Sequence, residues 1–340
     1  MQTLVPWEDQ LAVVSRQWRD AIMENRTLWS YIDLSQGERP DFRKVLKRSQ
    51  GALLDIVMPI NGSPRDLEHR PNYLVEALEI VGSHAYRWRS LHVIDRRSDR
   101  DPPHLTLGVL ISRHLENLKF PSLKYFTIQT AYEDIPYPAF LSQTRAPALE
   151  YLELEDYSKP ETFSPATTLE SLRLKLGFPD YIASPIAFFQ LISTYNLTTL
   201  KLEGHIPDWL AFQSNSVQFP VLSALYLDID RTIQFLDAII APNLEHCDVA
   251  LDYHLPLLMF SSLGSKFSSV QRLSIHSPLE PFTHRKYHVP HTYCEAFPGV
   301  RRVELDSNSF SRICAAFHRV WTHHKVHTLW ISGKIWKPCI

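Results

Sequence analysis

Glycine is scarce in this chain: it contributes 10 of 340 residues, against 24 prolines. That shortage argues against glycine-rich phosphate loops, and no P-loop, G-x-G-x-x-G, G-x-S-x-G or H-E-x-x-H pattern occurs. So many prolines suit short, firmly punctuated segments instead. Neither sign of charge is in excess. Lys and Arg number 35 against 37 Asp and Glu, so the net charge of −2 gives no electrostatic case for nucleic acid or an anionic membrane as partner. Long apolar runs are missing too, and no stretch approaches the roughly 20 residues that a membrane span requires. Cys247, Cys294, Cys314 and Cys339 stand far apart with no C-x-x-C pair. They are expected to be reduced, mostly buried thiols of an intracellular protein. The opening "MQTLVPWEDQ" has no basic start followed by an apolar run, so no secretory signal is expected. The expected location is cytoplasmic or nuclear, with the sequons at Asn25, Asn61 and Asn196 as chance matches.

What the chain does have is a recurring apolar triplet at offsets zero, three and five. "PALEYLEL" shows it with Leu149, Leu152 and Leu154. A helix would prefer offsets of three, four and seven, and a plain strand would alternate by two. The pattern returns at Leu123/Phe126/Ile128, Leu169/Leu172/Leu174, Leu197/Leu200/Leu202, Leu222/Leu225/Leu227 and Leu244/Cys247/Val249. It continues at Val270/Leu273/Ile275, Val300/Val303/Leu305 and Val326/Leu329/Ile331, and an earlier member is Trp88/Leu91/Val93. From Leu123 to Val326 the mean step is about 25 residues, inside the 20–29 window of the L-x-x-L-x-L leucine-rich repeat. Phe-Pro or Ala-Pro at 120–121, 146–147, 219–220, 241–242 and 297–298 marks a turn into each strand.

The spacing predicts an α/β leucine-rich-repeat solenoid, an irregular horseshoe with parallel strands on its concave side. The second and third triplet residues point into a shared core, and the first sits at the bend leading in. One unit cannot bury its own apolar face, so neighbours must stack. Between strands, "PIAFFQLIST", "TIQFLDAIIAP" and "SFSRICAAFHRVWTHH" read as helices, the last with Ser309 as N-cap and Phe310, Ile313, Cys314, Phe317 and Trp321 on one stripe. The Asn of regular repeats occurs only at Asn308, with Tyr157, Gly177 and His205 in the equivalent place, so the array is expected to be irregular. Residues between core positions point to the opposite face. That wall would carry Tyr125, Tyr151, Glu153, Arg173, Lys201, Tyr226, Asp228, Arg272, Arg302 and Trp330 toward an unknown target protein. Tyr, Trp and Arg are the types enriched at interface hot spots, which makes Tyr125, Tyr151, Tyr226 and Trp330 the anchors. The alternative is a merely solvated strand face, with Glu153 and Arg173 pairing across strands.

The segment before the repeats reads differently. In "EDQLAVVSRQWRDAIMENRTLWSYIDL", Leu11, Val14, Trp18 and Ile22 fall on one helical stripe with Asp9 near its start, and "TLWSYIDL" turns into a strand. This resembles the second half of an F-box. Val14, Arg16, Trp18, Arg19, Leu28 and Trp29 match that family's pattern, and Ser15 stands where Cys is usual. The first F-box helix, with its Leu-Pro-x-Glu-Ile/Leu, has only "MQTLVPW" as counterpart. "VLKRSQGALLDIVM" and "YRWRSLHV" extend the resemblance to the F-box/leucine-rich-repeat proteins expanded in mushroom-forming fungi.

The resemblance implies a non-enzymatic substrate receptor of a cullin-RING ubiquitin ligase. It would dock on a Skp-type adaptor through Leu11, Val14, Trp18, Ile22, Leu28 and Trp29. The expected organisation is a partial F-box-like segment at 1–35, a transition with the first irregular repeats at 36–120, and repeats with a C-terminal cap at 121–340. Two alternatives stay open: a free-standing interaction scaffold, with the N-terminal helix capping the array, or a hydrolase or metal enzyme. The last would use His284, His288, His291 and Cys294 of the "HVPHTYC" region, where no matching donor pair completes a zinc set. No catalytic residue, cofactor or metal is expected.

Overall fold

Many of the described strands are entered through a tight turn that their own sequence builds. In the computed structural model, which describes residues 15–34, 41–60, 71–95, 114–129, 138–157, 164, 166–176, 185–204, 213–250, 263–276, 295–305, 328–331 and 334–336, the first triplet residue donates its backbone N–H to the carbonyl three residues earlier. The pairs are Leu123 to Phe120 (3.1 Å), Leu149 to Ala146 (3.2 Å), Leu169 to Ala166 (3.2 Å), Leu244 to Ala241 (3.2 Å), Val270 to Phe267 (3.2 Å) and Val300 to Phe297 (3.3 Å). Proline's fixed φ suits the second turn position, where Pro121, Pro147, Pro242 and Pro298 stand. The residue before the turn is itself core: Phe120, Ala146, Ala166, Phe219, Ala241, Phe267 and Phe297 are all buried. The repeating motif therefore has four buried positions, with a Phe or Ala three places ahead of the triplet.

The chain forms two compact units, Met1–Leu169 and Glu170–Ile340. In the first, β1 (Tyr31–Asp33), β2 (Leu54–Ile60), β3 (Trp88–Asp95), β4 (Tyr125–Gln129) and β5 (Tyr151–Tyr157) pair in that order, all parallel. Ile32, Ile56, Leu91, Phe126 and Leu152 share one register row, and Met58, Val93, Ile128 and Leu154 the next inward row. None of these side chains is more than 2% exposed. Fully burying each contributes roughly 1.5–3 kcal/mol, and stacking neighbours is what removes both flanks from water. Trp88, Phe120 and Phe140 fill the space behind the sheet, with ring centroids 5.3 and 5.1 Å apart.

The helices α1 (Arg16–Glu24), α2 (Phe42–Arg48) and α3 (Pro71–Gly82) belong to this unit. Ser15, in the usual Cys place of the F-box pattern, is the N-cap of α1; its hydroxyl accepts from the Trp18 N–H at 3.1 Å. The Arg87-Trp88-Arg89 run splits its three side chains. Arg87 turns inward and donates to the Ser49 hydroxyl at 2.6 Å and to the Ala52 carbonyl at 3.0 and 2.7 Å, pinning the α2–β2 corner. Trp88 is wholly buried and donates to the Val81 carbonyl at 3.3 Å. Arg89 turns outward onto Asp55.

In the second unit β6 (Ser171–Leu176), β7 (Thr199–Gly204), β9 (Ala224–Ile229), β11 (His246–Ala250), β12 (Arg272–His276), β13 (Arg302–Leu305) and β14 (Thr328–Ile331) pair in parallel, and β15 (Lys334–Trp336) closes the edge antiparallel to β14. A separate parallel pair joins β8 (Val217–Gln218) to β10 (Ile239–Ile240). Leu172, Leu200, Leu225, Cys247, Leu273 and Val303 form a single row, each at most 1% exposed. Cys247 behaves there as a small hydrophobe: burial, then the nearby Asp248 charge, pushes its thiol far above the usual range. The helices read at "PIAFFQLIST" and "TIQFLDAIIAP" are α4 (Pro185–Ile192) and α5 (Thr232–Ala238), where Phe189 packs on Phe235 at 5.0 Å. The helix read at 309–324 lies outside the described residues, as do Gly177, His205 and Asn308, read with Tyr157 at the Asn place of the repeat; Tyr157 itself ends β5.

The described residues are thus α/β in architecture, with parallel strands and few helices in each unit. Among the described residues no helix is long and apolar enough to cross a membrane.

Candidate functional site

The side of each sheet opposite the core carries the alternate strand residues, and the register decides which of them meet. In the first unit Tyr31, Asp55, Ser90, Tyr125 and Tyr151 occupy one row. Tyr125 is 42% exposed, and its ring centroid lies 6.4 Å from that of half-buried Tyr151. The Tyr151 hydroxyl donates to Glu153 at 2.9 Å, which fixes the ring and the carboxylate together. Not every residue on this side is accessible: Ser90 and Thr127 are buried between their neighbours.

In the second unit, Arg173, Lys201, Tyr226, Asp248, Ser274, Glu304 and Trp330 form one continuous row. His246, Arg272 and Arg302 stand in the row beside it. Two cations share one carboxylate twice over. Arg173 (3.1 Å) and Lys201 (2.6 Å) hold Glu203, and Arg272 and Arg302 (2.6 Å each) hold Glu304. Asp248 takes His276 at 3.1 Å, and Asp228 is exposed in register with Glu203. Tyr226 sits edge-on to His246, with centroids 5.3 Å apart. Burial, then the positive charge of Arg272, lowers the His246 pKa, so that ring is neutral at pH 7.

These clusters give the face a pH response. Burial alone would raise the carboxyls of Glu203, Glu304 and Asp55. Their bonds and charge attraction to Lys201 and Arg173, to Arg272 and Arg302, and to Arg89 and Ser90 outweigh it and lower all three. A folded-state pKa below the unfolded one contributes stability that is present above the ordinary carboxylate range and lost as pH falls through the folded value. The melting temperature is therefore expected to drop on acidification below about pH 4. Glu304→Gln should flatten that acid slope, and an unaltered slope would show that the cluster does not contribute to it.

The N-terminal residues divide. Leu11 and Val14 lie outside the described residues. Trp18 is 54% exposed on α1, and Leu28 is half-buried. Ile22 and Trp29 are both buried in the chain's own core. The Trp29 indole donates to the Ile22 carbonyl at 2.9 Å, and the Arg48 guanidinium lies 4.2 Å from its ring centroid. The turn at Arg26–Trp29 folds Trp29 back beneath α1, so its ring helps to position that helix.

His284, His288, His291 and Cys294 lie outside the described residues. Among those described, no group of three or more His, Cys, Asp or Glu could hold a metal ion. Sequence reading missed the buried Phe or Ala ahead of each turn and the inward role of Arg87; the Phe-Pro and Ala-Pro dipeptides were the available signal for the first. No family model matches the sequence, and no curated protein matches it.

Proposed function

We propose that this chain is a leucine-rich-repeat substrate receptor of a cullin-RING ubiquitin ligase, with a target protein bound along its register-aligned wall. The observation that carries the reading is the wall itself. Within each unit, strands held in parallel register align wall side chains: Tyr125 stands beside Tyr151 in the first, and Tyr226 sits edge-on to His246 of the next strand in the second. Such an array of aromatic and charged side chains suits an extended protein surface. The link to a ligase rests on the F-box-like match at Val14, Arg16, Trp18, Arg19, Leu28 and Trp29, and the exposed Trp18 is the residue best disposed to meet a Skp-type adaptor.

The second reading, an interaction scaffold without a ligase, is favoured by one specific observation: Ile22 and Trp29 are already buried within the chain. Co-expression with a Skp-type adaptor separates the two. Under the receptor reading the chain co-purifies with the adaptor and Trp18→Ala weakens the complex; absence of a complex leaves the scaffold.

A further inference from the structure

A second surface lies away from the strand wall, between α2 and α3 of the first unit. There an open groove of about 560 Å³ is lined by Arg43, Leu46 and Lys47 on one side and by Glu79, Ile80, Ser83 and His84 on the other. Helical spacing places Arg43 and Lys47 one turn apart on the same side of α2, with Leu46 between them at the floor. Both cations are exposed, and neither has an ion-pair partner among the described residues. Leu46 and Ile80 give the floor an apolar character. Glu79, exposed on the opposite lip, has no ion-pair partner among the described residues either.

We propose that this groove docks a short acidic-aliphatic segment of a partner protein. An aliphatic side chain of the segment covers Leu46 and Ile80, and its flanking carboxylates meet Arg43 and Lys47. Glu79 repels carboxylates from the other lip, so the charge pattern fixes which edge of the segment faces α2. The site is separate from the wall and does not depend on a ubiquitin-ligase role.

The test uses the full chain and a fluorescein-labelled, end-capped peptide of repeating Glu-Glu-Leu, with Lys-Lys-Leu and Glu-Glu-Ser peptides as comparisons. Anisotropy titration is expected to show saturable binding of the Glu-Glu-Leu peptide alone, weakened by salt. Combining Arg43→Glu with Lys47→Glu should reduce affinity by about tenfold or more, and Glu79→Lys should strengthen it. All three positions are exposed, so their melting curves should match the unsubstituted protein. Carbodiimide coupling of the bound peptide should mark Lys47 ahead of the other lysines. Equal binding of the Glu-Glu-Ser peptide, coupling spread across all exposed lysines, indifference to the charge reversals, or no binding at millimolar peptide would each overturn the proposal.

Discussion

Leu152→Glu is expected to abolish cooperative folding of the first unit. Leu152 is wholly buried, one row member among Ile32, Ile56, Leu91 and Phe126, and pairs in register with Phe126. A glutamate there must either ionise in an apolar interior or remain protonated with no partner, and both are costly. The expected loss is about 5 kcal/mol or more, comparable to the whole stability of many domains. Leu152→Met conserves volume and should cost less than about 1.5 kcal/mol, while Leu152→Ala should fall between, at roughly 2–5 kcal/mol. Urea unfolding followed by circular dichroism ranks the three. A Glu variant that melts like the unsubstituted chain would mean that this row does not hold the unit together.

That row and the corresponding row of the second unit are also the clearest case of what the sequence makes legible. Apolar residues at offsets three and five can both be buried only on a short strand with a bend before it, so periodicity alone located Leu152, Leu200, Leu225 and Leu273 in the core. It could not locate Arg87. A charged residue in the turn before a strand normally faces water, and its inward course depends on Ser49 and Ala52, more than thirty residues earlier in the chain. The same limit applies to α1. A stripe of Trp18 and Ile22 looks uniform by helical spacing, but the fold of the following turn buries one and leaves the other exposed. On the wall, alternation correctly marks the outward residues of β5, yet it cannot tell that Ser90, Thr127 and Ser274 are covered by longer neighbours. Nor can it tell which cations share Glu203 and Glu304, because those partners are set by inter-strand register. The groove between α2 and α3 was invisible for a related reason: its two walls are separated by a whole strand of sequence.

Gly204→Ala is the second substitution expected to be severe, and it separates backbone strain from steric overlap. Gly204 ends β7 in register with Leu176 of β6, at φ +101°. A side chain disfavours that conformation, and an added Cβ would also overlap the Leu176 carbonyl oxygen, with the Leu176 carbonyl carbon at 3.2 Å. Neither group can yield, since both belong to paired strand backbones. Relief requires the end of β7 to move away from β6, which also displaces Glu203 from Arg173. Gly51 is the matched control: its φ is +86°, but a Cβ there would meet nothing within 4 Å. Gly51→Ala should therefore cost only the conformational strain of about 1–3 kcal/mol, whereas Gly204→Ala should exceed that range. Urea titration of both variants checks the difference. Equal losses at the two glycines would show that β7 has room to shift, and that the close approach of Leu176 does not fix its position.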